Sequence, residues 1–288
     1  MNSKEIQEVR NVEPNFLAPA GVTKAIIGVG KAKTSLSVMQ MIILGILAGV
    51  FIGFGSELAT MVTYDMSKFL GEGFAKFIFG SVFSVGLILV VIAGAELFTG
   101  NNLIFVSVLN GDVKLSKMLN NWFWVYVANF IGSLLLVWLM YASGLWQTGS
   151  FGVGAKALAI ANGKVNLSLG AAFSRAIVCN WLVCLAVWLA VASKDVVGKI
   201  FAIYFPIMAF VASGFEHSVA NMYIIPMGIF LKNSAEVVAT AGLSGKLANL
   251  TWGGFIARNL IPVTLGNIIG GAFFVATLYW AVYLKGKK

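Results

Sequence analysis

Six stretches of this chain, at residues 36–63, 77–98, 122–142, 171–193, 200–230 and 251–284, are apolar over the length of a membrane crossing, since a bilayer's hydrocarbon core takes about 20 residues of helix. The fifth is interrupted by polar residues near its middle. Only 11% of the residues are charged and 59% are hydrophobic, whereas a soluble domain carries about 25% charged residues. Inside a bilayer every backbone N–H and C=O must be satisfied within the protein, which restricts such runs to helices. The fold class that follows is an all-α membrane protein of six transmembrane helices. Residues 1–35 form a cytoplasmic N-terminal segment, 36–284 the six-span domain and 285–288 a short cytoplasmic tail. The N-terminal segment is polar and lacks the short apolar core and small-residue cleavage site of a signal peptide.

The formal charge of +9 is spread thinly over the loops, so it marks topology rather than a nucleic-acid surface. Lys4, Arg10, Lys24, Lys31 and Lys33 precede the first span; Lys114, Lys117, Lys194, Lys199 and three tail lysines fall on the same side of a six-span chain. The opposite side has Lys68, Lys76, Lys156, Lys164, Lys232 and Lys246, with Arg175 and Arg258 near helix starts. Basic loops stay inside, which places both termini in the cytoplasm of a multi-pass protein of the cell's inner (plasma) membrane, in contact with lipid.

The two halves repeat. Gly94, Glu96 and Asn101 recur as Gly214, Glu216 and Asn221, a constant 120 positions on; Asn121, Asn129 and Gly132 recur as Asn259, Asn267 and Gly270, 138 positions on. A repeat of three spans inverts its second copy in the membrane, a 3+3 plan shared by several transporters and channels. The repeated Gly-x-Glu segments fall late in spans two and five, each before polar residues and a further apolar stretch. Helices two and five are therefore expected to be broken, and uncoiled backbone at that depth belongs where it lines a cavity or is buried in protein.

His217 is the single histidine and lies in the second break. An ionisable group at membrane depth is a functional candidate by default. Glu96 and Glu216 are expected to cap the broken helices by accepting backbone N–H bonds, with Asn101 and Asn221 as their repeated companions in supporting the loops. Lys164, before span four, and Lys31, before span one, sit at opposite mouths; each suits either an interfacial snorkelling lysine or an anion attractor. Phe83, Leu87, Leu97 and Phe210 flank the breaks and serve as apolar constrictions or as plain packing. One histidine and two thiols, Cys179 and Cys184, do not furnish the ligand sets of a metalloenzyme or haem electron carrier, and a purely structural membrane protein has no need of two matched breaks.

Four motifs carry a family resemblance: Gly94-Ala95-Glu96-Leu97-Phe98-Thr99-Gly100-Asn101, Cys179-Asn180-Trp181-Leu182-Val183-Cys184, Gly214-Phe215-Glu216-His217-Ser218-Val219-Ala220-Asn221, and Asn259-Leu260-Ile261-Pro262-Val263-Thr264-Leu265-Gly266-Asn267. In this order they make the chain, from about residue 18 to 283, resemble the formate/nitrite transporter family, with the Thr99 and His217 loops matching its formate channels. The resemblance implies an aquaporin-like protomer in a homopentamer, one pore per protomer, no cofactor, and a small monovalent anion as solute: formate, with nitrite or hydrosulfide as alternatives. It assigns Thr99, His217 and Asn180 to the solute, Phe83, Leu87 and Leu97 to one constriction, Val183 and Phe210 to the other, and Lys31 and Lys164 to the mouths. A carboxylate of pKa about 4 would cross an apolar constriction more cheaply as the neutral acid than as the bare ion, whose desolvation costs several kcal/mol even after relaxation. Lys31 and Lys164 would then gather the anion, and a proton, from His217 or from water, would accompany it.

Overall fold

The computed structural model describes residues 15–286, which are helical apart from turns and one isolated β-bridge, Phe16 to Ser193. In chain order the helices are α1 Pro19–Ser35, α2 Val38–Thr63, α3 Ser67–Gly94, α4 Gly100–Leu109, α5 Leu115–Ser143, α6 Gly152–Val165, α7 Leu169–Ala192, α8 Val196–Ala212, α9 Ser218–Leu231, α10 Ala235–Ala241 and α11 Trp252–Tyr283. Five of them, α2, α3, α5, α7 and α11, are long and apolar enough to cross a membrane, while α4, α8 and α9 are shorter apolar helices. At about 1.5 Å per residue, the 26 residues of α2 reach about 39 Å, more than the roughly 30 Å hydrocarbon core. The apolar runs located the five long helices and α8 and α9, while α4 falls outside all six runs; α3 and α5 begin up to ten residues earlier than their runs, because Lys68 and Lys117 in their first turns interrupt the apolar pattern. Lys4, Arg10, Lys287 and Lys288 of the topology count lie outside the described residues.

Polar residues placed ahead of apolar ones start the helices. Ser37 forms a capping box with Gln40 at α2, Ser168 caps α7 through Ala171 N–H, and Asp195 caps α8 through Gly198 N–H at 2.6 Å. Each side-chain oxygen satisfies a first-turn donor that has no partner within its helix. Gly144, at φ +72°, ends α5 in the left-handed conformation that glycine adopts without strain.

Small residues set the packing. Gly45, Gly49 and Gly53 of α2 face Ala128, Asn129 and Leu136 of α5, and Gly132 of α5 lies against the Ile46 carbonyl. In the second half Gly266 and Gly270 of α11 face the backbone of α7 at Phe173 and Ile177. Within lipid there is little hydrophobic drive between helices, so such close backbone approach supplies the dispersion contact that holds them together. A methyl group at Gly132 or Gly270 would meet backbone atoms closer than 3.0 Å. Gly132→Ala and Gly270→Ala are each expected to cost about 1–3 kcal/mol or more, read as a lowered unfolding midpoint in detergent. Gly28→Ala, with nothing within 4 Å, serves as the control, and equal midpoints for all three would remove the close-packing account.

The segment expected to precede the membrane domain contains α1, whose Val22, Ile26 and Gly30 are buried against Leu103, Val106 and Trp188. Leu17 N–H bonds to the Ala192 carbonyl at 2.8 Å. This helix is packed on the ends of α4 and α7, and it forms a wall of the site described next.

Candidate functional site

Two chain breaks meet near the middle of the molecule. α3 ends in a π-helical turn, Leu89–Gly94, with Gly94 at φ +92° and Ala95 extended; the chain resumes as helix at Gly100. α8 ends at Ala212, Gly214 has φ +73°, and α9 starts after His217. Both breaks are docked by the same set of bonds. Asn129 of α5 accepts from Phe98 N–H at 2.9 Å and donates to the Glu96 carbonyl at 2.9 Å. Asn267 of α11 accepts from Ser218 N–H at 2.9 Å and donates to the Glu216 carbonyl at 3.0 Å. Each asparagine also reaches a third helix, Asn129 at the Gly45 carbonyl and Asn267 at the Ala176 carbonyl, both at 2.8 Å. These bonds pair backbone groups of the uncoiled segments within the protein, as burial at this depth demands.

The carboxylates form a second matched set. Glu96 accepts from Lys33 Nζ at 2.6 Å and Asn101 Nδ2 at 2.7 Å, and Asn101 Nδ2 also reaches Asn121 Oδ1 at 2.8 Å. Glu216 accepts from Lys164 Nζ at 2.8 Å, Asn221 Nδ2 at 2.7 Å and Asn259 Nδ2 at 3.1 Å, with Asn221 Nδ2 at 2.7 Å from Asn259 Oδ1. Asn121 Nδ2 and Asn259 Nδ2 close the two networks on the Lys33 and Lys164 carbonyls. This corrects the expected chemistry of the carboxylates: both accept from side-chain ammonium and amide groups rather than from backbone N–H. A buried charge is costly unless it is paired and hydrogen-bonded, and each of these carboxylates is both.

It also corrects the mouth lysine. Lys31 is exposed and pairs with Asp112, whereas Lys33 occupies the place equivalent to Lys164. The signal was present as a further repeat, Lys33-Thr34-Ser35-Leu36-Ser37 against Lys164-Val165-Asn166-Leu167-Ser168, offset by 131 positions. The two candidates are two residues apart, and at about 100° per residue they stand about 200° apart around α1, on different faces.

His217 is held at both ring nitrogens. Nδ1 accepts from Ala220 N–H at 3.0 Å, making the imidazole the N-cap of α9, and Nε2 lies 2.9 Å from Thr99 Oγ1 of the other break. A backbone N–H only donates, so Nδ1 bears no proton and the neutral ring carries its proton on Nε2, aimed at Thr99. Asn180 bonds elsewhere: its Nδ2 donates to the Thr99 carbonyl at 3.2 Å, Asn102 Oδ1 at 2.9 Å and the Asn267 carbonyl at 2.7 Å. It ties the Thr99 loop to α11, and its Oδ1 is a buried acceptor with no partner among the described residues.

Two cavities approach this centre. The first, about 170 Å³, is lined by Lys33, Leu87, Val90, Leu97, Asn101 and α1. The second, about 420 Å³, is lined by Phe83, Phe210, Lys164, Glu216 and His217. The Phe210 ring stacks on His217 at 5.9 Å and meets Phe83 edge-on at 5.9 Å. The apolar residues therefore group differently from expectation: Phe83 belongs with Phe210, Leu87 with Leu97, and Val183 is buried on α7 but lines neither cavity. Phe83 and Leu87 are four residues apart, about 6 Å along the α3 axis, which suffices to put them in different cavities.

A family model for formate/nitrite transporters matches residues 20–281, nearly the whole described chain. The chain belongs to the formate/nitrite transporter family. Its relatives in that family include the probable formate transporter of Methanothermobacter thermautotrophicus, 46% identical over 286 residues that cover 94% of this chain and 98% of the relative. The formate channel FocA of Escherichia coli K12 is 38% identical, with 94% and 96% covered. A solved structure of a pentameric formate channel with formate bound is 37% identical, covers 86% of this chain and 98% of its own, and superposes with a TM-score of 0.77. As a member of this family the protein is a multi-pass membrane channel or transporter. The networks around Glu96 and Glu216 lie within the stretch that the family model spans.

Proposed function

We propose that the protein is a channel for formate and similar small monovalent anions, which cross as the neutral acid, and that its pathway runs between the two cavities past Thr99 and His217. Nitrite and hydrosulfide, conjugate bases of weak acids, are the alternative solutes. The observation that carries the reading is the Thr99 to His217 hydrogen bond between two broken helices, with an apolar pair on each side. Six spans in a 3+3 inverted repeat, helices two and five being broken, account for the matched networks. α2 starts at the Lys33 side and its last residue, Thr63, lines the second cavity; α7 starts beside Lys164 and its late residues Val187 and Val191 line the first. The two helices thus run in opposite senses. The basic-loop count puts the first cavity and both termini on the cytoplasmic side. A homopentamer with one pathway per protomer follows from the likeness to the pentameric formate channel.

The tautomer of His217 supports a division of labour. A neutral ring that gave up its Nε2 proton would become imidazolate, and a ring first protonated on Nδ1 would lose the Ala220 cap. His217 therefore donates a hydrogen bond to the solute, and the proton that neutralises formate arrives through water in the cavities. Proteoliposomes test this with formate, nitrite, hydrosulfide and chloride at several external pH values, with and without a proton gradient. Formate uptake is expected to rise by up to tenfold per unit fall in pH, following the neutral fraction of an acid of pKa about 4, while chloride barely enters. Equal, pH-insensitive passage of chloride would sink the mechanism.

A further inference from the structure

The second cavity holds more charge than permeation of the neutral acid requires. Lys164 is committed to Glu216, but Lys76, Lys156 and Arg175 also line this cavity, and among the described residues their side chains make no ion pair or hydrogen bond. Glu72 is the one further acid there, which leaves the uncommitted groups at three positive against one negative. The first cavity is different in kind: its single ionisable lining residue is Lys33, already bonded to Glu96. The two sides of the pathway are therefore electrostatically unequal although the polar networks beneath them are matched.

We propose that Lys76, Lys156 and Arg175 form a one-sided anion-holding site in the second cavity, which binds multivalent oxyanions such as sulfate more tightly than monovalent carboxylates and is blocked by them. This rests on the permeation reading above. Attraction to a fixed cluster of cations scales with the charge of the ligand, and a concave site with apolar walls focuses that field. A carboxylate held there leaves inward by taking a proton, which cancels its charge. Sulfate, the anion of a strong acid, remains doubly charged at neutral pH; it can neither shed its charge nor pass the Phe83 and Phe210 rings. It stays and excludes formate. Among the described residues no comparable cluster lines the first cavity, so the block is confined to one side.

Formate influx into right-side-out and inside-out membrane vesicles, with sulfate compared against chloride at equal ionic strength, tests the site. Sulfate is expected to inhibit influx into right-side-out vesicles, where the second cavity faces the medium, and to leave inside-out vesicles unaffected. In the K156Q/R175Q double variant the half-inhibitory sulfate concentration should rise about tenfold, within the range by which focused fields change local anion capture. Inhibition equal from both sides, no greater with sulfate than with chloride, or unchanged in the double variant would overturn the site. Absence of formate influx in every preparation would overturn the permeation reading instead. Sulfate titration of the detergent-solubilised protein then decides the site alone: weaker binding in the double variant upholds it, and equal binding overturns it.

Discussion

Glu216→Ala is expected to destabilise the protein by about 3–5 kcal/mol, the usual consequence of removing one partner from a buried ion pair. Lys164 would keep its charge with a side chain only 16% exposed, and Asn221 and Asn259 would each lose an acceptor at the same site. The corresponding Glu96→Ala should cost less, because Lys33 is 24% exposed and can turn its ammonium towards water. Unfolding midpoints in detergent give the order: Glu216→Ala lowest, then Glu96→Ala, then the unaltered protein. A second variant, Lys164→Met with Glu216→Leu, should recover only part of the loss, since it removes the stranded charge but does not restore the two asparagine bonds to Glu216. Full recovery would mean that the asparagines contribute nothing to holding the second break, and equal midpoints for the two single variants would contradict the burial argument.

His217→Asn should fold normally and carry formate about tenfold more slowly, with uptake still rising as external pH falls. Asparagine is a good N-cap, so its Oδ1 takes over the Ala220 N–H and α9 keeps its start. What is lost is the donor presented to Thr99 and the solute; a buried hydrogen bond left unmade costs about 1–3 kcal/mol, and 1.4 kcal/mol is tenfold. The persistence of pH dependence separates the two proton routes. If the variant transports at a constant low rate whatever the pH, the imidazole supplies the proton and the tautomer argument fails. If flux and pH dependence both stay unchanged, His217 contributes neither bond nor proton. His217→Ala, which removes the cap as well, should add a loss of about 1 kcal/mol in stability.

Periodicity and composition reached the membrane class and the positions of the long apolar helices, and the repeat singled out the two Gly-x-Glu segments at Glu96 and Glu216. They did so because lipid imposes one rule along the whole chain: a run of about 20 apolar residues is helical, and a Gly-x-Glu within one is an interruption that some other part of the protein must satisfy. The repeat at offsets of 120 and 138 brought Glu96, Asn101, Asn121 and Asn129 to notice before any contact was known. What they bond to was not readable. Asn129 was seen only as a recurring residue, yet its amide closes the backbone of a break 31 positions away.

Tertiary structure alone decided the pairings on which the chemistry depends. Lys31 and Lys33 are indistinguishable by type and differ by two positions, but rotation along α1 sends one to Asp112 at the surface and the other to Glu96 in the interior. Phe83 and Leu87 share a helix and an apolar character, and one turn of rise divides them between cavities. The Thr99 to His217 bond joins residues 118 positions apart, and the proton on Nε2 is assigned by the backbone of Ala220 on the far side of the ring. By itself, then, the sequence determined the solvent this protein folds in and where its long apolar helices run, because those follow from local transfer energies and backbone satisfaction. Which cation meets which carboxylate, which ring closes which cavity and which mouth keeps uncommitted charge depend on helix rotation and docking, and these are settled only when distant segments pack together.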